Sequence, residues 1–255
     1  MSNPDEELSL PDRPGVAASA HAEIDSDDDI DKPVHAVGIG PGNPGLLTRR
    51  VADLLAEADV VVGFETVVDY IADETDADLL TCGYRDEREA LARFGRRVGD
   101  GDTGVAVLMG DPNHSGYQFL GKVEAAVDSP VRVVPGISSV QMAASRARTP
   151  MEESTFVTLH VRGDVSADLN RLERDVGDRN LIVIPRPYDW MPEDIAGRLV
   201  DSGADPDLET HVLERLTHPD ESITRTDLGS LAVDLGGDTP EDSAFTDLSI
   251  LVVRR

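Results

Sequence analysis

Gly40, Gly42 and Gly45 stand in the spacing G-x-G-x-x-G, directly after the apolar run Val34–Ile39. A turn of this kind can aim backbone N–H groups at a phosphate, and Glu65, after a second apolar run, stands where an acid would meet a ribose hydroxyl. That chemistry needs donors. Pro41 and Pro44 lie inside the turn and carry no N–H, which removes donors where a pyrophosphate of NAD or FAD requires them.

Two further turns follow apolar runs in the same way. Met109-Gly110-Asp111-Pro112 closes the run Val105–Met109 and continues through His114, Ser115 and Tyr117, and Val134-Pro135-Gly136-Ile137-Ser138-Ser139 closes the run Val131–Val134. Two roles are open for Asp111, a cap on its own turn or a ligand contact. His114, Ser115 and Tyr117 divide between local hydrogen bonds and contact with substrate. His160, in the run Thr155–Val161, is either a packed strand histidine or a general base for a late proton loss.

The string Val37-Gly38-Ile39-Gly40-Pro41-Gly42-Asn43-Pro44-Gly45-Leu46-Leu47-Thr48, with the two later turns in the same order, resembles the motif set of the tetrapyrrole (corrin/porphyrin) methylases. The resemblance runs from about Val34 to the C-terminus. It implies a two-domain α/β tetrapyrrole methylase fold with the active site in the interdomain cleft. It also implies S-adenosylmethionine as methyl donor, which has no phosphate for the prolines to obstruct. Carried over position by position, it gives Pro41, Met109, Gly110, Asp111, His114, Ser138 and Ser139 as donor contacts, joined by Pro185 and Leu216 from the second half.

Within the family, Ser138-Ser139-Val140-Gln141-Met142, Thr158-Leu159-His160-Val161-Arg162 and Leu213-Glu214-Arg215-Leu216-Thr217 with the downstream Asp220-Glu221 resemble the precorrin C5-methylating branch. Val161 and Arg215 depart from that branch's pattern. The resemblance implies C5 methylation of cobalt-precorrin-7; for that reaction His160, Asp111 and Tyr117 are the catalytic candidates, and Ser115, Arg162 and Arg146 the candidate substrate contacts. Cobalt would arrive in the substrate, and no protein metal site is visible. A homodimer is implied, and so is a C15-methylating, decarboxylating methyltransferase on another polypeptide. Two other readings compete: a same-fold methylase for another precorrin position or a diphthine synthase-like protein substrate, and a non-catalytic ligand-binding module.

Composition sets outer limits. The formal charge is −27, and the only lysines among 23 basic residues are Lys32 and Lys122. Such a surface repels nucleic acid and anionic lipid, and predicts a cytoplasmic protein of a salty cell, where screening weakens the repulsion between carboxylates. A polycarboxylate substrate must then be held by local arginines, for which Arg85, Arg88, Arg146, Arg148, Arg162 and Arg186 are the candidates. The single cysteine, Cys82, reads as a small buried apolar residue and excludes an internal disulfide. No apolar run reaches the length of a membrane span, and no secretory signal opens the chain.

The elements that must position these residues alternate. Strands are expected at Val34–Ile39, Val60–Gly63, Asp78–Cys82, Val105–Met109, Val131–Val134, Thr155–Val161, Leu181–Ile184, Thr210–Leu213 and Leu248–Val253. Helices follow at Glu87–Val98, Phe119–Val127, Ile137–Arg148 and Pro192–Asp201, with Leu47–Ala58 helically spaced and Tyr70 and Ile71 on a short helix. This is the pattern of an α/β fold. Met1 to about Lys32, rich in acids, Pro and Ser, reads as a disordered extension. Pro150 marks the expected boundary between domains 33–150 and 151–255.

Overall fold

The computed structural model describes residues 32–187, 189–233 and 243–255, with backbone alone at 115–117. The disorder expected of the acidic N-terminal segment therefore concerns residues outside those described. The chain divides into two compact units, one ending at Ser138 and the other running Ser139–Arg255.

The first unit is a five-stranded sheet in the order β3-β2-β4-β1-β5, with β1 Val34–Gly38, β2 Val60–Phe64, β3 Asp78–Cys82, β4 Gly104–Leu108 and β5 Val131–Val134. All its pairings are parallel. A parallel sheet needs cover on both faces, so its central strands read as unbroken apolar runs. Alternate residues supply the two faces. Ala36, Val60, Val62 and Ala106 face α3 (Glu87–Gly99) and α4 (Tyr117–Ala126) through Leu91, Phe94, Leu120 and Val123. Val37, Val61, Val105 and Val107 face the other way, against Val51, Leu54 and Leu55 of α1 (Arg49–Ala56) and Val67 and Val68 of α2 (Glu65–Val68). Cys82 is buried as expected, its Sγ 3.4 Å from the Gly63 carbonyl, and burial pushes its pKa up to about 12.

The second unit carries a mixed sheet, β6-β7-β10-β8-β9. Its strands are β6 Ser154–Thr158, β7 Asn180–Ile184, β8 Glu209–Glu214, β9 Ser222–Asp227 and β10 Ser249–Val253. Only β6 and β7 pair in parallel. One face packs on α6 (Ser166–Asp175), α7 (Pro192–Asp201) and α8 (Leu228–Val233) through Leu169, Leu172, Ile195, Leu199, Leu228 and Leu231. The other packs on α5 (Ser139–Ala147): Val140, Ala143, Ala144 and Ala147 lie against Ile182, Leu213, Ile250 and Val252. Because that stripe of small apolar residues is buried on the second sheet, the division falls one helix earlier than the Pro150 boundary expected from the sequence.

Four details differ from the sequence reading. Strand β6 stops at Thr158, so His160 sits in the loop beyond it. Tyr70 and Ile71 lie in a turn after α2 rather than on a helix. Strand β9 and helices α6 and α8 are not among the elements expected from the sequence. Helix α5 ends with Arg148 in the left-handed region at φ 53°, while Thr149 N–H reaches back to the Ala144 carbonyl at 3.0 Å. This is a Schellman-type end with arginine where glycine costs nothing. Arg148→Gly should therefore raise stability by about 1 kcal/mol. A denaturation midpoint equal to or below that of the parent would refute this account of the helix end.

Candidate active site

Three loops leave the carboxyl ends of the adjacent strands β4, β1 and β5, the edge of a parallel sheet where ligands bind in open α/β folds. They are the three motif turns of the sequence. Gly40 and Gly110 exchange backbone hydrogen bonds, Gly40 N–H to Gly110 O at 3.2 Å and Gly110 N–H to Gly40 O at 2.8 Å. Gly38, Gly110 and Gly136 touch backbone to backbone. A Cβ on Gly38 would lie 2.4 Å from the Gly110 oxygen, and one on Gly136 would lie 2.3 Å from that oxygen and 2.4 Å from the Gly38 oxygen. No side chain fits there, so the residue types and the meeting of the loops are one fact.

The carboxylate of Asp111, buried in this junction, ties the second loop to the third. Its Oδ2 accepts from Gly136 N–H at 3.2 Å, and its Oδ1 accepts from the backbone N–H and side-chain amide of Asn113 at 2.8 and 2.9 Å. Both oxygens are thus engaged within the loops, which is the capping role of the two left open by the sequence. A single π-helical turn, Pro112–Gly116, follows and leads into α4; turns of this type recur at functional sites. His114 lies on it, half-buried. The side chains of Ser115 and Tyr117, proposed from the sequence as a substrate contact and a catalytic group, are outside those described.

The first loop is poorly furnished for a phosphate. Gly45 N–H donates to Asn43 Oδ1 at 2.9 Å, Leu46 N–H to the Asn43 carbonyl and Leu47 N–H to the Pro44 carbonyl. Gly40 N–H is held by Gly110. With Pro41 and Pro44 lacking the group altogether, and the N–H groups of Gly40, Gly45, Leu46 and Leu47 already bonded within the protein, the turn keeps few donors for a pyrophosphate. Pro41 and Gly110 are buried, and Met109 is partly buried at the strand end. Ser138, 2% exposed, and Ser139 lead into α5. The arrangement fits a ligand that meets buried backbone and apolar edges without a phosphate.

The edge of the second sheet gathers the remaining candidates. Because β6, β7 and β8 run opposite to β10, the ends of the first three meet the start of the last. His160, Pro185, Leu216 and Asp247 all lie along this edge. The Pro185 carbonyl accepts a hydrogen bond from His160; burial holds the imidazole below the ordinary histidine pKa, opposed by Asp247 and by that carbonyl. Burial thus biases His160 toward its neutral form. Sequence reasoning missed Asp247, and no local pattern marks it, since only the antiparallel return of β10 brings it to His160. Leu216 is buried in the core beneath α5, so its part in any contact falls to its backbone.

The six candidate arginines separate clearly. Arg146 is paired with Glu221 through two contacts, Nε to Oε1 at 2.7 Å and Nη2 to Oε2 at 3.3 Å. Two of its donors are thus engaged by a structural partner. Arg186 is likewise forked onto Asp189 and donates to the Gly163 carbonyl at 2.8 Å. Arg148 caps α5. Arg85 and Arg88 line a groove between α3 and α4 together with Lys122, which is paired with Glu87. Arg162 lies partly buried two residues beyond His160.

Comparison with known proteins shows the family and the fold. The family model of the tetrapyrrole (corrin/porphyrin) methylases matches residues 33–232. A probable cobalt-precorrin-7 C(5)-methyltransferase of Methanocaldococcus jannaschii is 30% identical over 202 residues, 78% of this chain and 91% of that protein. A precorrin-6Y methylase of cobalamin biosynthesis from Archaeoglobus fulgidus shares the fold with a TM-score of 0.60 at 22% identity, covering 88% of this chain and 99% of that one. A uroporphyrin-III C-methyltransferase of Thermus thermophilus, crystallised with S-adenosyl homocysteine, gives 0.63 at 23% identity over 87% of this chain and 92% of that one.

Proposed function

From the premise that the chain belongs to the tetrapyrrole (corrin/porphyrin) methylases, we propose that it transfers a methyl group from S-adenosylmethionine to C5 of cobalt-precorrin-7. The observation that carries the donor half is the glycine-locked junction of three loops at the ends of β4, β1 and β5, with the N–H groups of Gly40, Gly45, Leu46 and Leu47 already bonded within the protein. The substrate half is supported by similarity to the archaeal protein, which extends over nearly all of that protein's length.

When bound, the donor supplies an electrophilic methyl group on a sulfonium. The chain's part is placement. Pro41, Met109, Gly110, Asp111, His114, Ser138 and Ser139 belong to segments that converge at or lead from the junction, and they hold the donor in one pose through backbone already fixed before binding. Holding a nucleophilic carbon in line with that methyl is worth up to about 7–11 kcal/mol of barrier. Transfer of that methyl to a meso carbon of an electron-rich macrocycle would move the positive charge from sulfur to the ring. His160, biased toward its neutral form, takes the proton that restores the neutral ring. A homodimer, and an enzyme that methylates C15 in the same substrate series, belong to the same reading.

The test is mass spectrometry of purified protein incubated with cobalt-precorrin-7 and S-adenosylmethionine. A gain of one methyl mapped to C5 is expected; a methyl at another carbon, or on a protein, would replace the substrate. His160→Gln should lower turnover on the order of 100-fold while donor affinity stays put. In the parent enzyme the basic form of a lowered-pKa histidine persists below the usual histidine range, so activity should fall only as pH drops through that lowered value. Unchanged turnover in the variant would dismiss the base.

A further inference from the structure

Four described non-glycine residues take left-handed φ: Lys32, Arg148, Arg215 at 48° and Thr217 at 73°. Arg148 is accounted for by its helix end. Arg215 and Thr217 flank Leu216 in the turn after β8, where no helix requires them. A β-branched residue such as Thr217 is among the least tolerant of that region. Backbone strain of this kind, costing on the order of 1–3 kcal/mol per residue, persists only where the surroundings over-determine it, and it concentrates at ligand-binding sites.

The surroundings do over-determine it. Arg215 N–H donates to the Leu248 carbonyl at 3.0 Å, and its guanidinium pairs with Asp220 at 2.5 Å. His218 N–H closes on the Arg215 carbonyl at 3.0 Å, and Glu221 N–H on the His218 carbonyl at 3.1 Å. Thr217 N–H is drawn to Glu221 Oε2 at 2.7 Å. That carboxylate is in turn fixed by the two-pronged contact with Arg146, which projects from the last turn of α5. Arg146 and the Thr217 N–H hold the Glu221 carboxyl below the usual range against its partial burial. A rigid helix thus grips a strained turn through one carboxylate, at the same sheet edge as His160 and Pro185.

We infer that Arg146 and Glu221 form a positioning latch that keeps the Arg215–Thr217 turn in the shape required for binding the methyl donor, without either side chain touching donor or macrocycle. The inference rests on the donor reading above and on the resemblance that gives Leu216 as a donor contact. The latch explains why an arginine suited to a substrate carboxylate is already occupied. It acts through geometry, so its loss should appear in affinity for the donor more than in the chemical step.

The test uses calorimetric titration of S-adenosylhomocysteine into the full chain and into Glu221→Gln, Thr217→Gly and the double variant, with kcat and KM for the donor measured alongside. Glu221→Gln should weaken binding by about tenfold or more, the scale of a lost charge-assisted hydrogen bond, and should raise KM with kcat little changed. Glycine enters the left-handed region unaided. Thr217→Gly should therefore restore most of the affinity in the double variant, a rescue that general destabilisation would not show. Arg146→Lys, which keeps the charge but not the fork, should give an intermediate loss and serves if Glu221→Gln does not fold. Glu221→Gln or Arg146→Lys binding as tightly as the parent, or a double variant no better than Glu221→Gln, would overturn the latch. Failure of the parent itself to bind would overturn the donor reading and the latch together.

Discussion

Gly136→Ala should destabilise the protein by about 3 kcal/mol and abolish donor binding, and Gly38→Ala should do the same. The added carbon on Gly136 would stand 2.3 and 2.4 Å from the carbonyl oxygens of Gly110 and Gly38, and the one on Gly38 would stand 2.4 Å from the Gly110 oxygen and 2.7 Å from the Gly136 nitrogen. These are backbone atoms that cannot rotate aside. Each belongs to the end of a central or neighbouring strand, so relief requires β1, β4 and β5 to part at the edge where their loops meet. Overpacking a core with flexible neighbours costs about 1–3 kcal/mol, and a clash with fixed backbone belongs at the top of that range. Neither glycine has a positive φ, so the effect is one of contact and not of backbone freedom. Gly101→Ala provides the contrast: at φ 110° with nothing within 4 Å of its Cβ, it should cost about 1–2 kcal/mol from strain alone. Chemical denaturation of the three variants checks this ordering. Equal losses would mean that the junction yields more easily than its geometry implies.

Asp111→Ala should have the second large effect, a loss of about 3 kcal/mol with at least a tenfold fall in affinity for S-adenosylhomocysteine. Three hydrogen bonds disappear together, and the N–H groups of Gly136 and Asn113 lose their acceptor in a buried junction. Asp111→Asn separates the parts. Its amide oxygen can still accept from Asn113, while its NH2 faces Gly136 N–H, donor against donor. That variant should cost about 1 kcal/mol and loosen the third loop in particular. If Asp111→Ala melts with the parent and binds equally well, the carboxylate does not tie the loops. If it melts with the parent but loses turnover alone, the carboxylate works on the reaction and the capping role is displaced.

The three motif loops are legible in the sequence because each obeys a local rule: an apolar run, then glycine or proline where the chain must turn sharply. The parallel sheet of the first unit is equally legible, since burial on both faces leaves unbroken apolar strands such as Val60–Phe64 and Gly104–Leu108. Strand β9 is not. It is an edge strand whose sequence, Ser-Ile-Thr-Arg-Thr-Asp, buries little, and its partner β8 supplies most of the apolar signal. Helix α6 shows only Leu169 and Leu172 toward the core amid charged residues, too short a stripe to stand out.

The roles of single side chains are less legible, because each depends on a partner far along the chain. Arg146 resembles any free arginine until Glu221 is placed beside it, and His160 resembles a strand residue until β6 is seen to stop at Thr158. Asp247 reaches His160 through the return of β10 alone. Asp111 shows two candidate roles in the sequence, and the three hydrogen bonds to Asn113 and Gly136 show it tying the loops together. The Pro150 boundary fails for a related reason: proline marks where a helix cannot continue, whereas the stripe on α5 decides which sheet the helix joins.

The measurement closest to the central claim is a crystal structure of this protein grown with S-adenosylhomocysteine. The nucleoside and the amino-acid tail should be found against Pro41, Gly110–Asp111 and the Gly136–Ser138 segment, with the loop hydrogen bonds of Gly40, Gly45 and Asp111 intact. Density at the amino ends of the parallel strands, or a ligand phosphate displacing Asn43 from Gly45, would contradict it.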